Sequence, residues 1–97
     1  MIDGYLLNMR VFNDVSDGKA QALKPLEEAA EAFGARQEFD GMRNVPAWRD
    51  MRDDLIGECM DTVQAVANLL AAVGATQGEV DAAIKRMDER DGGRGRL

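Results

Sequence analysis

The chain has no histidine, one cysteine, one tryptophan and two prolines among its 97 residues. Without histidine, a serine–histidine triad and a histidine-bearing zinc site are excluded, as are the Glu-x-x-His pairs of di-iron helical bundles. A lone cysteine forms no internal disulfide, which points to a reducing cytoplasm. No apolar run approaches the length that spans a bilayer. The start, Met1-Ile2-Asp3-Gly4 and then the short apolar Tyr5-Leu6-Leu7, does not read as a signal segment. A Walker-type glycine loop is missing too, and a glycosidase-type carboxylate pair would need a deep sugar cleft that a small helical chain rarely provides. The formal net charge of −6 argues against a nucleic-acid groove, because polyphosphate backbones are bound chiefly by neutralising lysines and arginines.

With 45% apolar residues, the sequence reads as a single all-α domain over residues 1–97. Four helices, packed antiparallel, are predicted. Residues 5–15 are mildly amphipathic and form a short first helix or an irregular packed arm. Ser16 or Asp17 caps a second helix over residues 19–33, bent at Pro25 and stopped by Gly34. A polar connector follows, with Phe39 and Met42 as packing anchors. Val45-Pro46 opens the longest helix, residues 46–73, closed by Gly74. Thr76-Gln77-Gly78-Glu79 matches a capping box and starts a fourth helix over residues 77–90, with Val80, Ala83, Ile84 and Met87 as its buried stripe. Leu23, Leu26, Ala30 and Phe33 form the stripe of the second helix, and Leu55, Ile56, Cys59, Val63, Val66 and Leu70 a broad arc on the third, with Cys59 a small core residue.

Two acidic clusters organise this frame: Glu27-Glu28-Ala29-Ala30-Glu31 on the second helix and Glu58-Cys59-Met60-Asp61 on the third. Residues three apart share a helix face, so Glu28 pairs with Glu31 and Glu58 with Asp61. On antiparallel helices the two pairs face each other. Four anionic oxygens directed at one point repel one another unless a cation lies between them, and hard oxygen donors select magnesium, with manganese as a substitute. The expected ligands are therefore Glu28, Glu31, Glu58 and Asp61, and Glu27 is a further ligand, an orienting residue or a base for water. Lys24, one turn before Glu28, is placed to meet phosphate oxygens. Asn68 shares the strip of Asp54 and Asp61 and is either an interhelical hydrogen-bonding residue or a substrate contact. The end of the chain from Lys85 holds five basic residues against three acidic ones, so Lys85, Arg94 and Arg96 are candidate phosphate contacts.

The pattern Glu-Glu-x-x-Glu, a spacer over residues 32–57, then Glu-x-x-Asp resembles the MazG-type all-α nucleotide pyrophosphohydrolases. Residues 22–35, residues 53–75 and the Arg-Gly-Arg ending are similar to the small stand-alone members encoded by bacteria and their phages. The resemblance implies a magnesium-dependent enzyme in which water attacks the α-phosphorus of a nucleoside triphosphate, giving the monophosphate and pyrophosphate. It also implies a homodimer or homotetramer built from intermolecular four-helix bundles, with neither nucleic acid nor membrane as partner. Asp91 stands where many relatives have asparagine, and Gly92-Gly93 replaces longer side chains. Two rivals remain open: a phosphoribosyl-ATP pyrophosphatase on the same carboxylate plan, and a non-enzymatic helical adaptor or catalytically silent relative.

Overall fold

A computed structural model describes residues 2–41 and 46–97. The described residues hold three helices and no strand: α1, Lys19–Gly41; α2, Trp48–Ala72; and α3, Gln77–Gly93. The four-helix expectation is corrected at the N-terminus. Residues 5–15 take neither helix nor strand and form the alternative, an irregular arm.

α1 begins one step after the expected caps: the Gly18 carbonyl accepts from the Ala22 amide at 3.0 Å. The helix runs unbroken through Pro25, which lacks the N–H that would meet the Gln21 carbonyl. It also passes through Gly34, which does not stop it. A glycine ends a helix by taking a positive φ, and only Gly74 and Gly95 do so among the described residues. The polar stretch after Gly34 therefore extends α1 by two turns. Phe39 serves as an anchor as expected, its ring centroid 6.3 Å from that of Trp48. The expectations for Met42 and Val45 fall outside the described residues.

α2 starts at Trp48 rather than Pro46, with Ala47 as its N-cap. At its other end Gly74, φ 76°, donates to the Ala71 carbonyl at 2.9 Å, and Ala75 donates to Leu70 at 3.0 Å. This is a Schellman stop. Thr76 then opens α3 with the expected capping box, its hydroxyl accepting from the Glu79 amide while the Glu79 carboxylate accepts from the Thr76 amide. α3 continues beyond Arg90 to Gly93. A second Schellman stop closes it: Gly95 donates to Gly92 at 3.1 Å and Arg96 to Asp91 at 2.9 Å.

α1 and α2 pack as an antiparallel hairpin, Phe39 meeting Trp48 near the loop and Glu31 meeting Glu58 farther along. Partly covered residues on α1 recur at Gln21, Pro25, Glu28, Ala32, Ala35 and Phe39, and on α2 at Met51, Leu55, Glu58, Thr62, Ala65, Leu69 and Ala72. Alternating steps of three and four mark the seam of two helices in coiled-coil-like contact. The seam is not the apolar stripe that the sequence suggests for α1. Leu23, Leu26 and Phe33 lie on the opposite side of the helix and are exposed. On α2, Leu55 enters the seam while Ile56, Val66 and Leu70 stay open, and Cys59 is exposed rather than part of a core. Only Ala65 and Asn68 are buried among the described residues, and neither completely. α3 packs on neither α1 nor α2.

Candidate metal centre

Glu28 and Glu58 occupy seam positions, the places where a coiled coil ordinarily puts leucine or isoleucine. Charge there is costly unless it is neutralised. With exposed Glu31 they form a group in which one carboxylate oxygen from each lies within 4.8 Å of the others. Glu58 Oε2 is buried and has no hydrogen-bond partner. A carboxylate oxygen in that state lacks a proton donor or a cation. The structure thus brings together three of the four expected ligands from two helices.

The group shows its strain in its protonation. Burial raises the Glu28 carboxyl above its ordinary value, and Glu31, through a shared hydrogen bond and its charge, and then Asp61 raise it further, against the pull of Lys24. Glu58 is raised by burial, then by the charges of Glu31 and Asp61, the Glu31 hydrogen bond and Asp54. Asp61, itself exposed, stands close enough to act on both glutamates although it lies outside the three-carboxylate group. The donor set is all hard oxygen, fitting magnesium or manganese, and the orphaned Glu58 oxygen is of the kind that such a cation satisfies.

Two cavities flank the centre, and Asp61 lines both. On one side, about 590 Å³ is lined by Glu31, Glu38, Asp53, Asp54, Glu58 and Asp61 with small residues between them and no basic side chain. On the other, about 320 Å³ lies between the N-terminal arm and the hairpin, bordered by Phe12, Asp14, Lys24, Glu28, Asp61 and Gln64, with Ala65 and Asn68 at its base.

The arm is tied down by side chains of α2. The Phe12 amide donates to Asn68 Oδ1 at 3.0 Å, Gln64 Nε2 donates to the same oxygen at 3.1 Å, and Gln64 Nε2 also donates to the Arg10 carbonyl. Asn68 therefore serves as an anchor for the arm at the cavity wall. Lys24 ion-pairs with Glu27 at 3.3 Å, both side chains more than half exposed, so Glu27 stands beside the carboxylate group and not within it. Lys85, Arg94 and Arg96 belong to α3 and its cap, which one chain does not bring to the centre. Phe12, Asp14 and Gln64 border the site without having been expected from the sequence. Gln64 carries a legible signal, since Asp61, Gln64, Ala65 and Asn68 fall at i, i+3, i+4 and i+7 on one strip.

No helix among the described residues is long and apolar enough to cross a membrane. No family model, curated protein or solved structure matches the chain.

Proposed function

We propose that the chain is a magnesium-dependent nucleoside triphosphate pyrophosphohydrolase, converting a (d)NTP and water to the (d)NMP and pyrophosphate. One observation carries this reading: glutamates from two helices meet at seam positions, and one carboxylate oxygen is buried without a partner. A merely solvated acidic strip would turn those side chains outward, as Glu27 does. Glu28, Glu31, Glu58 and Asp61 would hold the cation, which when bound supplies charge neutralisation at the phosphates and a more acidic water. Lys24 meets phosphate oxygens at the arm-side cavity with Glu27 orienting its ammonium; the water oxygen bonds to the α-phosphorus as the bond to the bridging oxygen breaks, pyrophosphate leaves and the water's proton passes to solvent, since Glu27 faces outward and is not the base. Asp61 borders the cavities on both sides of the centre.

A second copy completes the assembly in this reading. The accessible surface of 7842 Å² exceeds the roughly 5,500 Å² that scaling gives a folded monomer of this mass by about 2,400 Å². The radius of gyration, 16.0 Å, exceeds the roughly 12.5 Å of a closed domain of this length. The apolar faces of α1 and α2 both point outward, and α3 carries Ile84 and Met87 half exposed. An obligate homodimer covers surface of this extent. Four helices from two hairpins would then form the bundle, and α3 of one chain could carry Lys85, Arg94 and Arg96 to the centre of another. An exposed thiol, Cys59, suits the reducing cytoplasm.

The test is pyrophosphate release from a panel of nucleoside triphosphates and phosphoribosyl-ATP with magnesium. Release that is lost in folded Glu58→Gln and Asp61→Asn variants supports the reading. Release from phosphoribosyl-ATP alone reassigns the substrate, and no release from any of them leaves the helical adaptor or catalytically silent relative.

A further inference from the structure

Two parts of the chain find no cover in their own hairpin. α3 packs on neither α1 nor α2, and the stripe expected to be buried lies open at Ile84 and Met87, each about half exposed. The outer arm is barer still: Tyr5 is 76% exposed and Leu6 fully so. An amphipathic helix and an apolar arm left open in this way both mark a contact surface.

The tethers of the arm fix its direction. The Arg10 carbonyl accepts from Gln64, and the Phe12 amide donates to Asn68, one helical turn further along α2. Two residues of extended chain span about 7 Å and four of helix about 6 Å, so the arm runs extended beside α2 and parallel to it. No turn or bend interrupts residues 4–12. Followed back from Arg10, the arm reaches Leu6 about 13 Å farther on, toward the start of α2 and away from the joint at Gly74 where α3 departs. For its own α3 to cover Leu6, that helix would have to fold back along α2, and it does not.

Charge and position favour the α3 of another chain. The arm lies on the side of the hairpin where Glu28 and Asp61 line the arm-side cavity, whereas the sequence from Lys85 onward holds five basic residues against three acidic ones. The exposed Val66 and Leu70 each stand two positions after a tether residue, about 200° around the helix, so the apolar face offered to the bundle is on the other side of α2 from the arm. Both contacts can therefore be made at once. The excess surface of about 2,400 Å² per chain leaves room for both, since a standard interface takes about 800 Å² from each partner.

We propose that the arm is the dock for α3 of a second copy, with Tyr5 and Leu6 packing against Ile84 and Met87. A two-fold assembly makes this contact twice, each chain giving its arm and its α3 to the other. The inference rests on the second-copy part of the reading above and not on its chemistry. Its consequence is that Lys85, Arg94 and Arg96 of one chain are carried along the arm of the other toward the arm-side cavity.

The test is a disulfide between chains, made in the full-length protein on a Cys59→Ser background. A chain with Leu6→Cys is co-expressed with a size-tagged chain carrying Ile84→Cys, and mild oxidation should give the mixed dimer while neither variant alone gives a bonded pair. Separately, Leu6→Asp should raise the dimer dissociation constant at least about tenfold in a light-scattering dilution series, the order expected when a leucine loses its cover. Circular dichroism and manganese affinity should stay unchanged, because Leu6 touches neither the hairpin nor the carboxylates. The mixed disulfide with a weakened Leu6→Asp dimer upholds the dock, whether or not pyrophosphate is released by the parent. A parent dimer that forms no mixed disulfide, or one indifferent to Leu6→Asp, overturns the dock and leaves the second copy standing. A disulfide formed within a single chain carrying both cysteines overturns it as well, and a monomeric parent overturns both the dock and the assembly.

Discussion

The amide of Phe12 donates to Oδ1 of Asn68 at 3.0 Å, joining residues 56 positions apart. Asn68 is 4% exposed and Phe12 more than half exposed, so this part-buried bond is shielded on its acceptor side as it ties the arm across α2. Truncating it in Asn68→Ala removes the acceptor for two donors, Phe12 N–H and Gln64 Nε2. A loss of about 1 kcal/mol is expected, the net worth of an ordinary hydrogen bond, since both part-buried donors can turn to water. Urea unfolding measures the loss, and amide hydrogen exchange at Phe12 should accelerate with it. An unchanged exchange rate would mean that the arm is held by other contacts.

Glu58→Gln should act in opposite directions with and without cation. Removing one charge from the seam relieves repulsion, so the variant melts at a higher temperature than the parent in chelator. Adding magnesium or manganese should raise the parent's melting temperature and leave the variant's nearly unmoved. A cation-dependent increment that survives the substitution would place the ion elsewhere.

The raised carboxyls of Glu28 and Glu58 fix the sign of the pH response. Between the ordinary glutamate value of 4.5 and the raised ones, the native chain keeps protons that the unfolded chain has released. Their contribution to stability without cation is therefore present at low pH and lost as pH rises through the raised values. Cation affinity should climb over the same interval, because metal and proton compete for these oxygens. Thermal melts across pH, in chelator and in magnesium, should diverge upward through that window. Parallel curves would remove the case for a shared ion.

Leu26→Glu combined with Ile56→Glu places charge on the outward apolar faces of α1 and α2. Light scattering after size exclusion should show the parent as a multiple of the 10.6 kDa chain and the variant as a smaller species. A parent that elutes as a monomer at micromolar concentration contradicts the completed bundle.

Thr76→Ala removes the hydroxyl half of the capping box, leaving the bond from the residue 76 amide to the Glu79 carboxylate, and should cost about 1 kcal/mol. Gly74→Ala, at φ 76°, should cost a similar ~1 kcal/mol through backbone strain, since an added Cβ meets no atom there. Denaturant titration followed by circular dichroism measures both.

The helix α3, its capping box and the stop at Gly74 were legible because each depends on residues within one turn of one another. The carboxylate group was legible for a related reason: i, i+3 spacing places acids on a face in any helix. What the sequence did not yield is which face meets which. Leu23, Leu26 and Phe33 make the stronger apolar signal on α1, yet the hairpin seam takes Gln21, Glu28 and Ala35. Apolar periodicity marks a face that seeks cover, and it does not say whether that cover comes from the same chain. Gly34 misled because a glycine stops a helix only when its backbone turns left-handed, and at Gly34 the helix instead continues through Ala35 to Gly41. The arm was legible only as one of two alternatives for residues 5–15, because its own tethering groups are backbone, Phe12 N–H and the Arg10 carbonyl, which every sequence possesses.

The second Schellman stop gives the last turn a mechanical role. Gly95 and Arg96 are bonded back onto Gly92 and Asp91, so Arg94 and Arg96 are carried by α3 like the blade of a rudder rather than trailing from it. Any neighbour that re-aims α3 about Gly74 and Ala75 steers both guanidinium groups together, and a small rotation at that joint becomes a large sweep of positive charge at the tip.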